Sequence, residues 1–188
     1  MNLRWLPNAI CVARMLLGLP VAATLLAGEY RWTLLLFAVA AISDGLDGWL
    51  AKHFGWTSAL GKLLDPIADK VLLVSVYLTL AWVGLVPAWL AMSVVLRDVI
   101  IVAGAIAYRL LIGPVTGRPT PVSKLNTVLQ LLLVPAVIAS AIWRASPPAL
   151  VIALGAAAFV TTVASGIDYV LTYARLAWRA RPRARRAG

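Results

Sequence analysis

Long apolar stretches, broken by glycine, proline or charge at near-regular intervals, fill almost the whole of this chain. Six of them, about 8 to 28, 31 to 52, 58 to 84, 87 to 112, 122 to 144 and 148 to 174, have the length that a helix of roughly 20 residues needs to cross a hydrocarbon core. The segments between them alternate in character. "AGEYR" (27 to 31), "GLVP" (84 to 87) and "RASPP" (144 to 148) read as short turns carrying Arg31 and Arg144. The N-terminal "MNLRWLP", "KHFGW" (52 to 56), "GPVTGRPTPVSK" (113 to 124) and an arginine-rich tail hold nearly all the other loop Lys and Arg. This asymmetry places the second set, and with it both termini, on the cytoplasmic side. The fold expected is an all-α integral membrane protein: a single domain over 1 to 188, built as a six-transmembrane-helix bundle. A short amphipathic N-terminal segment with Trp5 at the interface leads into it, and a basic cytoplasmic tail follows from about 175.

Composition narrows the class. Of 188 residues 62% are hydrophobic and 13% charged, and the mean hydropathy is +0.91, which leaves no room for a soluble domain beside six spans. The net charge of +10 includes six arginines between Arg175 and Arg186. Beside a membrane span such a tail meets anionic lipid head groups rather than nucleic acid. Cys11 is the only cysteine, which excludes an intramolecular disulfide. The first apolar run follows Arg4 and ends in small residues, as a signal peptide would, but Arg14 interrupts it. We read it as a retained span of a protein integral to a bacterial cytoplasmic membrane.

The acidic residues do not follow the apolar logic. Four of the seven, Asp44, Asp47, Asp65 and Asp69, fall in "SDGLDGWLAKHFGWTSALGKLLDPIADK" (43 to 70). Asp44 and Asp47 are three apart on the second span; Gly61, Asp65 and Asp69 are spaced at four on the third. Each pair therefore shares one face of its helix. At 1.5 Å per residue, the first pair lies about 20 to 24 Å along its span and the second roughly 10 to 16 Å into the next, so the two pairs can meet in the cytoplasmic leaflet. A carboxylate at bilayer depth costs on the order of 2.5 to 3.5 kcal/mol, and four together repel. Divalent cations would remove both costs, and hard oxygen ligands without Cys or paired His select Mg²⁺ or Mn²⁺ over Zn²⁺. Gly48, Ala51 and Gly61 keep the backbone beside the acids open to a flat anionic ligand such as a nucleotide diphosphate. Lys52, Lys62 and Lys70 either reach phosphate or extend to the interface. Helix-end acids without a ligand are the plainer alternative; four at matching helical spacing make it the weaker one.

Asp44-x2-Asp47-Gly48-x2-Ala51-Lys52, then Gly61-x3-Asp65-x3-Asp69, resembles the signature of the CDP-alcohol phosphatidyltransferases. "LPNAICVAR" (6 to 14) and "SGIDYV" (165 to 170) are similar to that family's first and last helices, so the resemblance covers most of the chain. "LRDVII" (96 to 101) and "PTPVSKLNTVLQLLLV" (119 to 134) look most like its cardiolipin synthase branch, with the phosphatidylglycerophosphate synthase branch of related layout. The resemblance implies a phosphatidyl transfer from CDP-diacylglycerol to a glycerol-based acceptor hydroxyl, with release of CMP. The acceptor would be phosphatidylglycerol, or alternatively glycerol 3-phosphate. It further implies that Asp44, Asp47, Asp65 and Asp69 bind two divalent cations, that Asp69 is also the general base, and that Gly48, Ala51, Lys52 and Gly61 shape the nucleotide pocket. Lys52 departs from the usual arginine and loses its bidentate fork. The family often forms homodimers, and one is expected here.

Arg97, Arg109, Arg118, Lys124 and Asn126 are candidates for the acceptor's phosphate and head group. Arg97 lies within a span and demands a partner, so a structural pair with Asp98 is an equal reading. Arg118 and Lys124 also fit plain cytoplasmic loop charge. Two other classes use intramembrane acids. A cation transporter would show inverted repeats or broken helices, and an intramembrane prenyltransferase a second acidic segment; this chain has neither pattern.

Overall fold

The computed structural model describes residues 6–53, 61–111, 120–143 and 148–184, and within them the side chains outside 6–8, 47–52, 61–66, 108, 111, 148 and 176–184. The regular structure there is helical throughout: α1 (Leu6–Leu26), α2 (Tyr30–His53), α3 (Gly61–Trp82), α4 (Ala88–Leu111), α5 (Pro121–Trp143) and α6 (Pro148–Ala184). Each helix falls on one of the six apolar runs. The sixth expected span, 148 to 174, coincides with the membrane-crossing stretch Ala149–Arg175, and α6 itself continues beyond it through Ala184. Hydropathy marks where lipid contact stops, whereas the Ala, Leu and Arg that follow are strong helix formers and carry the backbone pattern onward.

Among the described residues, four helices are long and apolar enough to cross a membrane: Ala9–Leu26, Ala88–Ala107, Pro121–Trp143 and Ala149–Arg175. The other two, α2 and α3, are those whose apolar content is lowered by the clustered aspartates and by Lys52, Lys62 and Lys70. Trp32, Trp82, Trp89 and Trp143 are all exposed, and each stands within three residues of a helix end. That is where an aromatic ring with a polar edge sits at a membrane–water boundary.

The chain forms two compact units, residues 1–91 with 134–151, and residues 92–133 with 152–188. In the first, α1 packs on both α2 and α3. Its core is apolar and includes Val21, Leu25, Phe37, Ala40, Leu72, Val76, Tyr77 and Leu80. The approach of α1 to α3 is close at Gly18, where a Cβ would stand 3.3 Å from Ser75 Oγ and 3.9 Å from Leu72 Cα. In the second unit the buried set is largely polar: Arg97, Asp98, Ser123, Asn126, Gln130, Thr162 and Ser165. Leu96, Val99, Ile106, Val128, Leu132, Val163 and Ile167 are exposed on the same helices. Water as solvent would drive those side chains inward; a hydrocarbon solvent leaves them outside and joins the polar groups to one another.

Two turns of the first unit end helices by the same device. Glu29 N–H donates to Thr24 O (2.9 Å) and Gly28 N–H to Leu25 O (3.1 Å). After α3, Leu85 N–H donates to Leu80 O (2.9 Å) and Gly84 N–H to Ala81 O (3.2 Å). Both are Schellman closures, with glycine in the left-handed region at φ 75° and 77°. Nothing lies within 4 Å of a Cβ built on either glycine, so a side chain there meets only backbone strain. Gly28→Ala and Gly84→Ala should each lower stability by about 1 to 2 kcal/mol, read as a fall in the unfolding midpoint in detergent. An unchanged midpoint would contradict the strained geometry.

Candidate active site

One aspartate of α2 and one of α3 meet on α1. Arg14 is 1% exposed, and its Nη1 donates to Oδ1 of Asp44 on α2 and to Oδ1 of Asp69 on α3. The Nη2 of the same guanidinium lies 3.8 Å from Cys11 Sγ, one turn earlier on α1. The carboxylates are not enclosed with it, since the Asp44 side chain is 44% exposed and that of Asp69 39%. The result is a half-open mouth with a buried cation for its floor and two carboxylates at its rim. Hard anionic oxygens from two helices, reachable from one side, are the donor set that a small divalent cation requires. The side chains of Asp47 and Asp65, with those of Gly48, Ala51, Lys52 and Gly61, lie outside the described residues. Among the described residues no three acidic, Cys or His side chains converge.

The second unit carries a closed polar seam. Arg97 Nη1 donates to Asp98 Oδ1 (2.6 Å), Nε and Nη2 donate to Ser165 Oγ (3.2 and 2.8 Å), and Nη2 also donates to Ser123 Oγ. The Tyr169 ring stands 5.9 Å from the same guanidinium, within cation–π range. Further along α5, Asn126 Oδ1 accepts from Thr161 Oγ1 (2.9 Å) and Thr162 Oγ1 (2.8 Å), and Gln130 Nε2 donates to Thr162 Oγ1 (3.2 Å). Beside Arg97 a cleft of about 320 Å³ opens between α4 and α6, walled by Leu96, Ile100, Val163, Ile167 and Val170. An apolar wall of this kind accepts hydrocarbon rather than a charged head group.

Residues 4–175 match the family model of the CDP-alcohol phosphatidyltransferases. The chain belongs to that family. A rat protein named cardiolipin synthase (CMP-forming) is 32% identical over 180 residues, covering 87% of this chain and 60% of the relative. A Streptomyces coelicolor protein of the same name is 37% identical over 100 residues, covering 50% and 46%. A rice chloroplastic CDP-diacylglycerol–glycerol-3-phosphate 3-phosphatidyltransferase is 36% identical over 151 residues, covering 70% and 45%. The chain spans about 60% of the length of the rat relative it matches.

Of the residues expected to act in this member of the family, Asp44 and Asp69 come together. The acceptor candidates fare differently from one another. Arg97 is buried and hydrogen-bonded through all three nitrogens. Asn126 is buried on the α5 face that also presents Ser123 and Gln130; among the described residues its Nδ2 has no hydrogen-bond partner. Arg109, in the last turn of α4, and Lys124 on α5 are exposed. Arg118 lies outside the described residues, and His53 is exposed. The residue that sequence reasoning passed over is Arg14. A lone cation inside an apolar run demands a partner as surely as Arg97 does, and that signal was there to be read.

The saturation of Arg97 separates its two expected roles. Arg97→Leu leaves Asp98 buried without its cation and should cost about 3 to 5 kcal/mol of stability, while Arg97→Leu with Asp98→Leu should cost less than half of that. Detergent unfolding of the single and double variants measures the difference. A stable Arg97→Leu chain that has lost only acceptor affinity would favour the head-group role.

Proposed function

We propose that this chain transfers a phosphatidyl group from CDP-diacylglycerol to the hydroxyl of a glycerol-based lipid acceptor, releasing CMP. The observation that carries the reading is the meeting of Asp44 and Asp69 oxygens, from two helices, at one half-open point in a member of this family. Asp44, Asp47 and Asp65 are assigned as ligands of two Mg²⁺ or Mn²⁺ ions, and Asp69 as ligand and general base. Gly48, Ala51, Lys52 and Gly61 are assigned to the cytidine diphosphate. When bound, the divalent ions would neutralise the carboxylates and stabilise charge on the departing phosphate.

The chain's own groups do the rest. Asp69 accepts the proton of the acceptor hydroxyl, whose oxygen forms a bond to the phosphatidyl phosphorus. The bond from that phosphorus to the bridging oxygen breaks, and CMP leaves with it. Phosphatidylglycerol is the acceptor assigned, because cardiolipin synthases (CMP-forming) are among the relatives matched over most of this chain. Glycerol 3-phosphate is the second reading, supported by the match to the rice enzyme named for it. The apolar cleft beside Arg97 suits an acyl chain and sides with the lipid acceptor. All six helices are taken as spans, since α2 and α3 combine span length with internal carboxylates. Both termini and the acidic mouth are placed at the cytoplasmic face by loop charge, with the basic tail on anionic lipid and a homodimer as the assembly.

Purified chain given CDP-diacylglycerol, Mn²⁺ and a panel of acceptors should release CMP fastest with phosphatidylglycerol. A chelator should abolish the reaction, and Asp69→Asn should slow it by about 10² to 10⁴-fold, the range of a lost general base. No CMP with any acceptor, or full activity in Asp69→Asn, would refute the assignment; faster release with glycerol 3-phosphate would move it to the second acceptor.

A further inference from the structure

None of the roles assigned above uses Arg14, although it holds the site together. Its side chain is almost wholly buried, while the two carboxylates it touches are about two-fifths exposed. A single atom, Nη1, serves both oxygens, so one positive nitrogen occupies the point at which α2 and α3 present their acids. A divalent ion bound between Asp44 and Asp69 would draw on the same lone pairs that Nη1 now uses. Two cations therefore contend for one pair of oxygens.

We propose that Arg14 is the resident counter-cation of the active site: it holds Asp44 and Asp69 together until divalent ions arrive, and those ions bind by exchange, Arg14 yielding the two oxygens. This rests on the reading that these aspartates are metal ligands. Arginine suits the role because it stays charged in any environment and its Nη1 carries two N–H donors, one for each oxygen. Cys11 Sγ, 3.8 Å from Nη2, is a weak acceptor that orients the fork without holding it tightly. The set point of metal affinity is then a property of α1, which contributes no metal ligand of its own.

The test uses the purified full chain in detergent, titrated with Mn²⁺ alone, with free Mn²⁺ read from its electron paramagnetic resonance signal. Saturable binding is expected for the unaltered chain. Arg14→Gln, which removes the competitor, should bind Mn²⁺ about tenfold more tightly, the scale on which one neighbouring cation changes a carboxylate's affinity for a proton. Arg14→Lys keeps the charge on a shorter side chain that does not reach the position of Nη1 without strain, and it should also bind more tightly, by about threefold. If Arg14→Gln does not fold, Arg14→Lys carries the test by itself. Unchanged or weaker binding in the variants overturns the exchange, as does tightening in Arg14→Gln with none in Arg14→Lys, which would mean that net charge alone acts. No saturable Mn²⁺ binding to the unaltered chain would instead refute the metal reading, and the exchange with it.

Discussion

A charge placed among membrane helices has to be neutralised by the chain itself, and this protein does so twice with a buried arginine. The two cases share their physics and differ in access. Arg97 is surrounded by partners that are buried as deeply as it is, Asp98, Ser123 and Ser165. Every nitrogen is used, no water-facing oxygen remains, and the arrangement is a lock. Arg14 is buried to the same degree, but its partners are not. Their outer faces remain open to a ligand, so the same kind of ion pair becomes the floor of a site. Exposure of the carboxylates, not the strength of the pair, separates structure from chemistry here.

The helix that makes the difference is α1. Spacing along α2 and α3 puts each pair of aspartates on one stripe, but a stripe has no preferred neighbour until something packs against it. α1 packs on both helices. Its single arginine then converts two independent stripes into one constellation. The fold around this point is otherwise ordinary membrane-protein construction: an apolar core between the helices, apolar side chains outward, helix ends closed by glycine and marked by tryptophan.

Much of this was legible in the residues. Six helices were readable because apolar runs of bilayer length are the least ambiguous signal a sequence carries. The aspartate pairs were readable because charge in such a run is costly. Reading stopped where the answer depended on which face of one helix meets which face of another. Arg14 appeared only as an interruption in the first run; that it reaches Asp44 and Asp69, thirty and fifty-five positions away, is tertiary information. Asn126 shows the same limit from the other side. That its Oδ1 accepts from Thr161 and Thr162 follows from the register of α5 against α6 and not from its position in the chain.

The geometry of the mouth is fixed by residues that never touch it. Gly18, one helical turn beyond Arg14, sets how closely α1 approaches α3 through Ser75 and Leu72. Thr33 Oγ1, donating to Thr24 Oγ1 at 3.1 Å, ties the far end of α1 to the start of α2. From Arg14 to Thr24 is about 15 Å of helix, so α1 is held against its two neighbours along most of its length and cannot easily tilt about the ion pair. Cys11 and Arg14 share one turn of that same helix, which makes the direction of the guanidinium a local property of α1. Two carboxylates belonging to different helices therefore meet at a point defined by a third, and the precision of the site is set by the small residues that let that third helix come close.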